Sequence, residues 1–299
     1  MNRGALNRMG RAALCLVLIL WAAGASLALA HGGDHPEKKG ILLVAFGTSV
    51  PEAEAAFEAI EAKVKQAFPG VEVRWAYTSK IIRDKLAAES GKHVDSPAAA
   101  LAAMGDDGFT RVAVQSLHTI PGEEFDYLMA TATAFAGLPK GIAQIEVGAP
   151  LMYAPEDVEQ AVAAMLASAP KARKSGEALV FMGHGTPHPA NIYYAGAQYF
   201  FWQKDKNAFV GTVEGTPTLD DVAAELKARG IKKAWLIPFM SVAGDHARND
   251  MAGPEPDSWK SVLEKQGITC EPVLVGSAEI PAVADLWVEH LKAAFARLH

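Results

Sequence analysis

Residues 41–68 read ILLVAFGTSVPEAEAAFEAIEAKVKQAF, and the period of the pattern changes partway through. The first six residues are an unbroken apolar, β-prone run. After a Gly-Thr-Ser turn, Phe57, Ile60, Val64 and Phe68 return at helical spacing. The alternation continues along the chain. Runs at 71–77 (VEVRWAY), 111–117 (RVAVQSL) and 145–151 (IEVGAPL) read as strands, and Ala-rich stretches such as SPAAALAAMGDDG (96–108) read as helices. Strand alternating with helix predicts an α/β fold with parallel sheets and helices on both faces.

The same order then recurs. ALVFMG (178–183), AFVGTVEG (208–215), KAWLIPFM (233–240) and EPVLVG (271–276) read as strands, and TLDDVAAELKARG (218–230) as a helix. Laying LVAFGTS over VFMGHGTP sets Phe46 opposite His184 at an offset of 138, and the same offset pairs Ala76 with Glu214. SLHTIPGEEFDYLM over FMSVAGDHARNDM pairs Gly122 with Gly244 and Glu124 with His246 at an offset of 122, as if a loop or helix were shorter in the second half. The pattern predicts two similar Rossmann-like domains, 40–172 and 173–280, joined through SAPKARKSGE (168–177), with a cleft between them and a terminal helix at 281–299. A single larger doubly wound sheet is the alternative.

The first 30 residues stand apart. Arg3, Arg8 and Arg11 precede AALCLVLILWAA, and Ala28-Leu29-Ala30 forms a small-x-small cleavage pattern, which predicts a secretory signal peptide. The apolar run is shorter than the roughly 20 residues a membrane span needs, so the reading is an exported protein without a membrane span. A polar arm, HGGDHPEKK, fills 31–39. Removing the leader takes Cys15 with it and leaves Cys270 alone, which excludes an intrachain disulfide. It also leaves 25 basic against 34 acidic residues, a net charge of −9, which argues against nucleic acid as a partner. The sequence leaves the number of copies open, a homo-oligomer included.

Ligands of open parallel sheets bind beyond the carboxyl ends of the strands. His184, Glu214, His246 and Glu124 all follow strands, so facing domains would gather them at one cleft. Two imidazoles and carboxylates suit a borderline divalent ion with open positions, and either histidine suits acid–base work. A glycine turn also places a histidine for purely structural reasons, and that reading stands beside the functional one. Tyr194, Gln198, Phe201 and Trp202 share one face of a helix that either paves a flat ligand's pocket or packs in the core. His118 supports the site or is a buried, hydrogen-bonded histidine, and His188 reads as a loop residue. The single glycine of FGTS, with no lysine, fails the P-loop and dinucleotide fingerprints, and no G-x-S-x-G occurs.

Together, ILLVAFGTS, TSKIIRDKL, VQSLHTIPGEEF, VFMGHGTPH, GTVEG and SVAGDHARNDMAGPEPDSWK resemble the anaerobic-pathway sirohydrochlorin cobaltochelatases of the CbiK type, in order over essentially the whole chain after the leader. The resemblance implies a ferrochelatase-like fold whose last helix crosses back to the first domain. It implies a nitrogen–metal lyase with a tetrapyrrole, sirohydrochlorin, and Co2+ as substrates, Fe2+ being a second metal for the family. It places the two metal-binding histidines at His184 and His246, and the active-site acids at Glu124 and Glu214. His184, Glu214 and His246 would then hold the ion, while Glu124 and a histidine accept protons. Arg83, Lys80 and the amides after Gly47, at Thr48, are candidates for the substrate's carboxylates. Members of the family are usually cytoplasmic, whereas the leader predicts a periplasmic protein. The competing expectation is a non-catalytic periplasmic carrier of metal or tetrapyrrole. A bound haem would need an axial ligand outside the site, with His93 the candidate.

Overall fold

The computed structural model describes residues 37–299; the expected leader and residues 31–36 of the polar arm lie outside the described residues. The opening apolar run forms β1 (Lys39–Ala45), and the helical pattern after the glycine turn forms α1 (Ala55–Ala67). There follow β2 (Glu72–Tyr77), α2 (Lys80–Ser90), α3 (Pro97–Asp106), β3 (Arg111–Ser116), α4 (Glu123–Phe135), β4 (Gln144–Gly148) and α5 (Pro155–Ala167). Ser79 and Ser96 start α2 and α3 by accepting backbone N–H groups of their first turns, and Pro97 sits at the first helical position of α3, where its missing N–H costs nothing.

The second series is β5 (Ala178–Gly183), α6 (Ile192–Lys204), β6 (Ala208–Thr212), α7 (Leu219–Ala228), β7 (Lys233–Pro238), a π-helical turn (Ala247–Met251), α8 (Trp259–Lys265), β8 (Thr269–Pro272) and α9 (Pro281–Phe295). The strands form two four-stranded, wholly parallel sheets, ordered β2-β1-β3-β4 and β6-β5-β7-β8. Two separate sheets of matching order replace the alternative of one large sheet. The offsets read from sequence reappear as equivalent bonds: Leu117 N–H donates to Val44 O and Phe239 N–H to Met182 O, both at 2.7 Å. One boundary differs from expectation. The last strand spans Thr269–Pro272 instead of running through 271–276: Val273 N–H still donates to Leu236 O at 2.8 Å, and beyond it Leu274 and Val275 are exposed.

Both faces of the central strands are buried, with period two. Ile41, Leu43 and Ala45 of β1 point into one core cluster that also takes in Leu179 and Phe181 of β5, while Leu42 and Val44 join a second cluster with Leu101 and Met104 of α3. Ala178, Val180 and Met182 of β5 face a third, with Trp259 and Leu263 of α8. A continuous apolar interior therefore joins the two sheets. Helix α9 packs on β3 and β4 and buries Val283, Trp287 and Leu291 completely. Among the described residues, no helix is long and apolar enough to cross a membrane.

Candidate active site

The loops after β1 and β5 turn on glycines in the left-handed region, Gly47 at φ 107° and Gly185 at φ 78°. At Gly185 the requirement is also steric, since an added Cβ would lie 2.6 Å from the backbone nitrogen of Gly215. The two loops of the second half are thereby held together: Glu214 N–H donates to His184 O at 2.8 Å, and the Asn191 side chain accepts from Thr186 N–H and donates to Thr216 O. Tyr194 lies beneath this turn with its ring over Gly183, where a Cβ would stand 2.2 Å from it. Burial pushes the Tyr194 phenol up to about 12, opposed in part by the nearby backbone of Gly185 and His184.

The His184 and His246 rings meet edge to face, with centroids 4.6 Å apart and planes at 84°. His184 Nδ1 lies 2.9 Å from Gly185 O and 3.9 Å from a Glu214 carboxylate oxygen. A carbonyl oxygen only accepts, so Nδ1 carries a hydrogen, and in the neutral ring the lone pair is then on Nε2. His246 enters the π-helical turn, where Asp250, four residues on, accepts from its Nδ1 at 2.5 Å. That leaves Nε2 as the free nitrogen of this ring too, the carboxylate-to-imidazole arrangement that orients metal-binding histidines. Among the described residues, no three or more His, Cys, Asp or Glu side chains gather closely enough to enclose an ion. What is present is an imidazole pair with one carboxylate beside it, which is an open donor set.

These groups line a cleft of about 690 Å³. His184, Glu214 and His246 come from the second half, and Glu124, in the first turn of α4, faces the same space from the first half. Gly47, Thr48 and Tyr194 also line it. His118 does too; burial holds its imidazole down at about 4, with Ser116 Oγ 2.8 Å from Nδ1.

Lys80 and Arg83, the expected substrate contacts, are not among the residues that line the cleft. At 100° per residue along α2, Ile81, Ile82 and Lys85 fall on the face that lines the cleft, and Lys80 and Arg83 fall on the opposite face. Lys80 pairs with Asp84 on the surface instead. His93 is exposed in the loop between α2 and α3 and is not among the lining residues. The α6 stripe is largely core. Phe201 is fully buried, and Gln198 bonds the backbone of β6 at Ala208 O and Val210 N, satisfying a strand at the sheet edge. Of that stripe Tyr194 alone reaches the cleft among the described residues. His188 bridges the halves, with Nδ1 accepting from Ala190 N–H and Nε2 3.2 Å from Asp126 of α4.

Two residues escaped the sequence reading. Asp250 was signalled only by its i+4 spacing from His246 in DHARND, and Lys85 only by a helical phase that the sequence does not anchor.

The cobalt chelatase (CbiK) family model matches residues 39–296. A sirohydrochlorin cobaltochelatase, CbiKC, of Nitratidesulfovibrio vulgaris is 46% identical over 261 residues, covering 87% of this chain and 92% of that one. A sirohydrochlorin cobaltochelatase of Salmonella typhimurium is 35% identical over 255 residues, covering 85% and 95%. Among solved structures, SirB from Bacillus subtilis with Fe3+ shares the fold at a TM-score of 0.56 and 15% identity, covering 86% of this chain and 95% of that one. With a family model running through both sheets and two relatives matched over most of their length, the chain belongs to the cobalt chelatase (CbiK) family.

Proposed function

We propose that this protein is a sirohydrochlorin cobaltochelatase that acts in the periplasm, with Fe2+ as an alternative metal substrate. The observation that carries the activity is the imidazole pair, rings 4.6 Å apart and both Nδ1 atoms engaged, in a cleft that Glu124 enters from the other side. Export rests on the basic residues, apolar run and Ala28-Leu29-Ala30 of the first 30 residues.

Metallation exchanges two pyrrole protons for one divalent ion, so the site must hold an ion near the ring nitrogens and take up protons. His184 and His246 offer Nε2 to the incoming ion, with the Glu214 carboxylate beside them offsetting its charge. Glu124 and one imidazole receive the protons that leave the macrocycle. Two nitrogens with a carboxylate nearby form an open donor set, loose enough to release an ion to four pyrrole nitrogens. Tyr194 stays a neutral phenol under the His184 turn and holds that turn in place.

The test is cobalt insertion into sirohydrochlorin, followed by the change in absorption. Wild-type protein should accelerate it, and His184→Ala and His246→Ala should each lose turnover while keeping the wild-type circular dichroism spectrum. No acceleration by the wild type, with the tetrapyrrole bound unchanged, would leave a carrier. For location, fractionation of the native host should place the protein with periplasmic markers and with residues 1–30 removed; recovery in the cytoplasm with the leader intact would exclude export.

A further inference from the structure

A tetrapyrrole with carboxylate arms entering this cleft meets an acidic wall, since Glu123, Glu124, Glu214 and Asp245 all line it. Lys85 is the one fixed cation among the described lining residues. It is exposed and has no ion-pair partner among the described residues, whereas Lys80 and Lys92, on the same stretch of chain, are paired with Asp84 and Glu54. One helical turn back, Ile81 is 79% exposed although it is part of the cleft wall, and Phe46, just after β1, lines the same cleft and is 43% exposed. Two large apolar side chains beside an unpaired ammonium, in a concave site, match a flat apolar ring with an anionic rim.

We propose that Lys85 holds a peripheral carboxylate of the tetrapyrrole while Ile81 and Phe46 pack against the macrocycle, so that this first-half wall sets the ring's orientation toward the His184–His246 pair. This rests on the chelatase reading. Lys85 and the acids stand on different elements: the cation is on α2, Glu123 and Glu124 are on α4, and Glu214 and Asp245 are on second-half loops. A carboxylate arm is therefore drawn to one side of the cleft and repelled from the others, which selects one placement of the ring among those its shape allows. The metal donors are untouched by Lys85, so its contribution belongs to ring binding and not to ion binding.

The experiment measures binding of metal-free sirohydrochlorin by absorption titration, cobalt binding separately, and steady-state insertion, for wild type, Lys85→Ala, Lys85→Glu, Lys85→Arg and Ile81→Ala. Lys85→Ala should raise Kd and KM for the tetrapyrrole by roughly three- to tenfold with kcat within about twofold. Lys85→Glu should raise them further and Lys85→Arg should restore them. The deficit of Lys85→Ala should shrink as salt rises, whereas that of Ile81→Ala should not. Cobalt affinity should be unchanged throughout. An unchanged tetrapyrrole Kd in Lys85→Glu would overturn the proposal. If the wild type binds the ring but inserts no cobalt, the chelatase reading falls, and the binding titrations still decide the role of Lys85; a wild type that binds no ring overturns both.

Discussion

Phe46 and His184 occupy equivalent places in the two halves and face each other across the cleft, ring centroids 6.5 Å apart and planes tilted by 42°. A planar ring lying between them needs about 3.5 Å on each side, roughly 7 Å in all. The gap is slightly too narrow, so one side chain must yield. His184 is tied to Gly185 O and backed by Tyr194, while the apolar Phe46 ring makes no hydrogen bond and is 43% exposed. The duplicated scaffold thus gives one half a fixed imidazole and the other an exposed apolar ring.

Placing a histidine at position 46 should trap the metal. Phe46→His would set a third imidazole next to the existing pair, and a site with three strong nitrogen donors retains an ion. Cobalt affinity should rise at least about tenfold and turnover should fall. Isothermal titration with Co2+ alongside the insertion assay checks this; unchanged affinity would mean that position 46 does not reach the ion.

Asp250 should matter although it does not line the cleft. Its carboxylate fixes the ring of His246 at 2.5 Å, and removing such a partner commonly costs roughly 10- to 100-fold in metal affinity or activity. Asp250→Ala should show a loss in that range with the thermal midpoint little changed, measured by cobalt titration and melting. A variant with full affinity would show that the π-helical turn alone orients the imidazole.

Gly185→Ala should damage stability and site together. The left-handed backbone costs an alanine about 1–3 kcal/mol, and its Cβ would stand 2.6 Å from the Gly215 backbone, so the His184 and Glu214 loops must separate. Urea unfolding should show a loss at or above the upper end of that range, with chelatase activity falling further than the folded fraction. Equal loss of both would confine the effect to folding.

His118 should make the fold sensitive to mild acid. Burial lowers its pKa from 6.5 to about 4, so between those values the unfolded chain binds a proton that the folded protein refuses. Its contribution to stability is intact above about 6.5 and is lost as pH falls toward 4. His118→Gln, which keeps an amide beside Ser116 and Thr78, should lose less stability between pH 7 and pH 4 than the wild type. Parallel losses in denaturant titrations at the two pH values would show that carboxylates elsewhere govern this window.

The sheets were legible because each central strand is buried on both faces and so reads as an unbroken apolar run, and because duplication preserved the order of the strand ends, Val44 then Leu117 and Met182 then Phe239, although the second pair is 16 residues closer in sequence. His184, Glu214, His246 and Glu124 stood out by being polar at strand ends, a one-dimensional signal. The cleft's cation was not of that kind. Lys80, Arg83 and Lys85 lie within six residues, and only the rotation of α2 about its axis, set by Leu86 packing into the core, decides which of them lines the cleft. The end of β8 was not legible, because the apolar run goes on through Leu274 and Val275, which the structure leaves exposed beyond the strand.

The position of α9 bears on the order in which the chain becomes a protein. Trp287, Leu291 and Val283 are the covering of β3 and β4, yet they leave the ribosome more than a hundred residues after those strands. The half that is synthesised first is the half completed last, and until then it exposes one flank of its sheet.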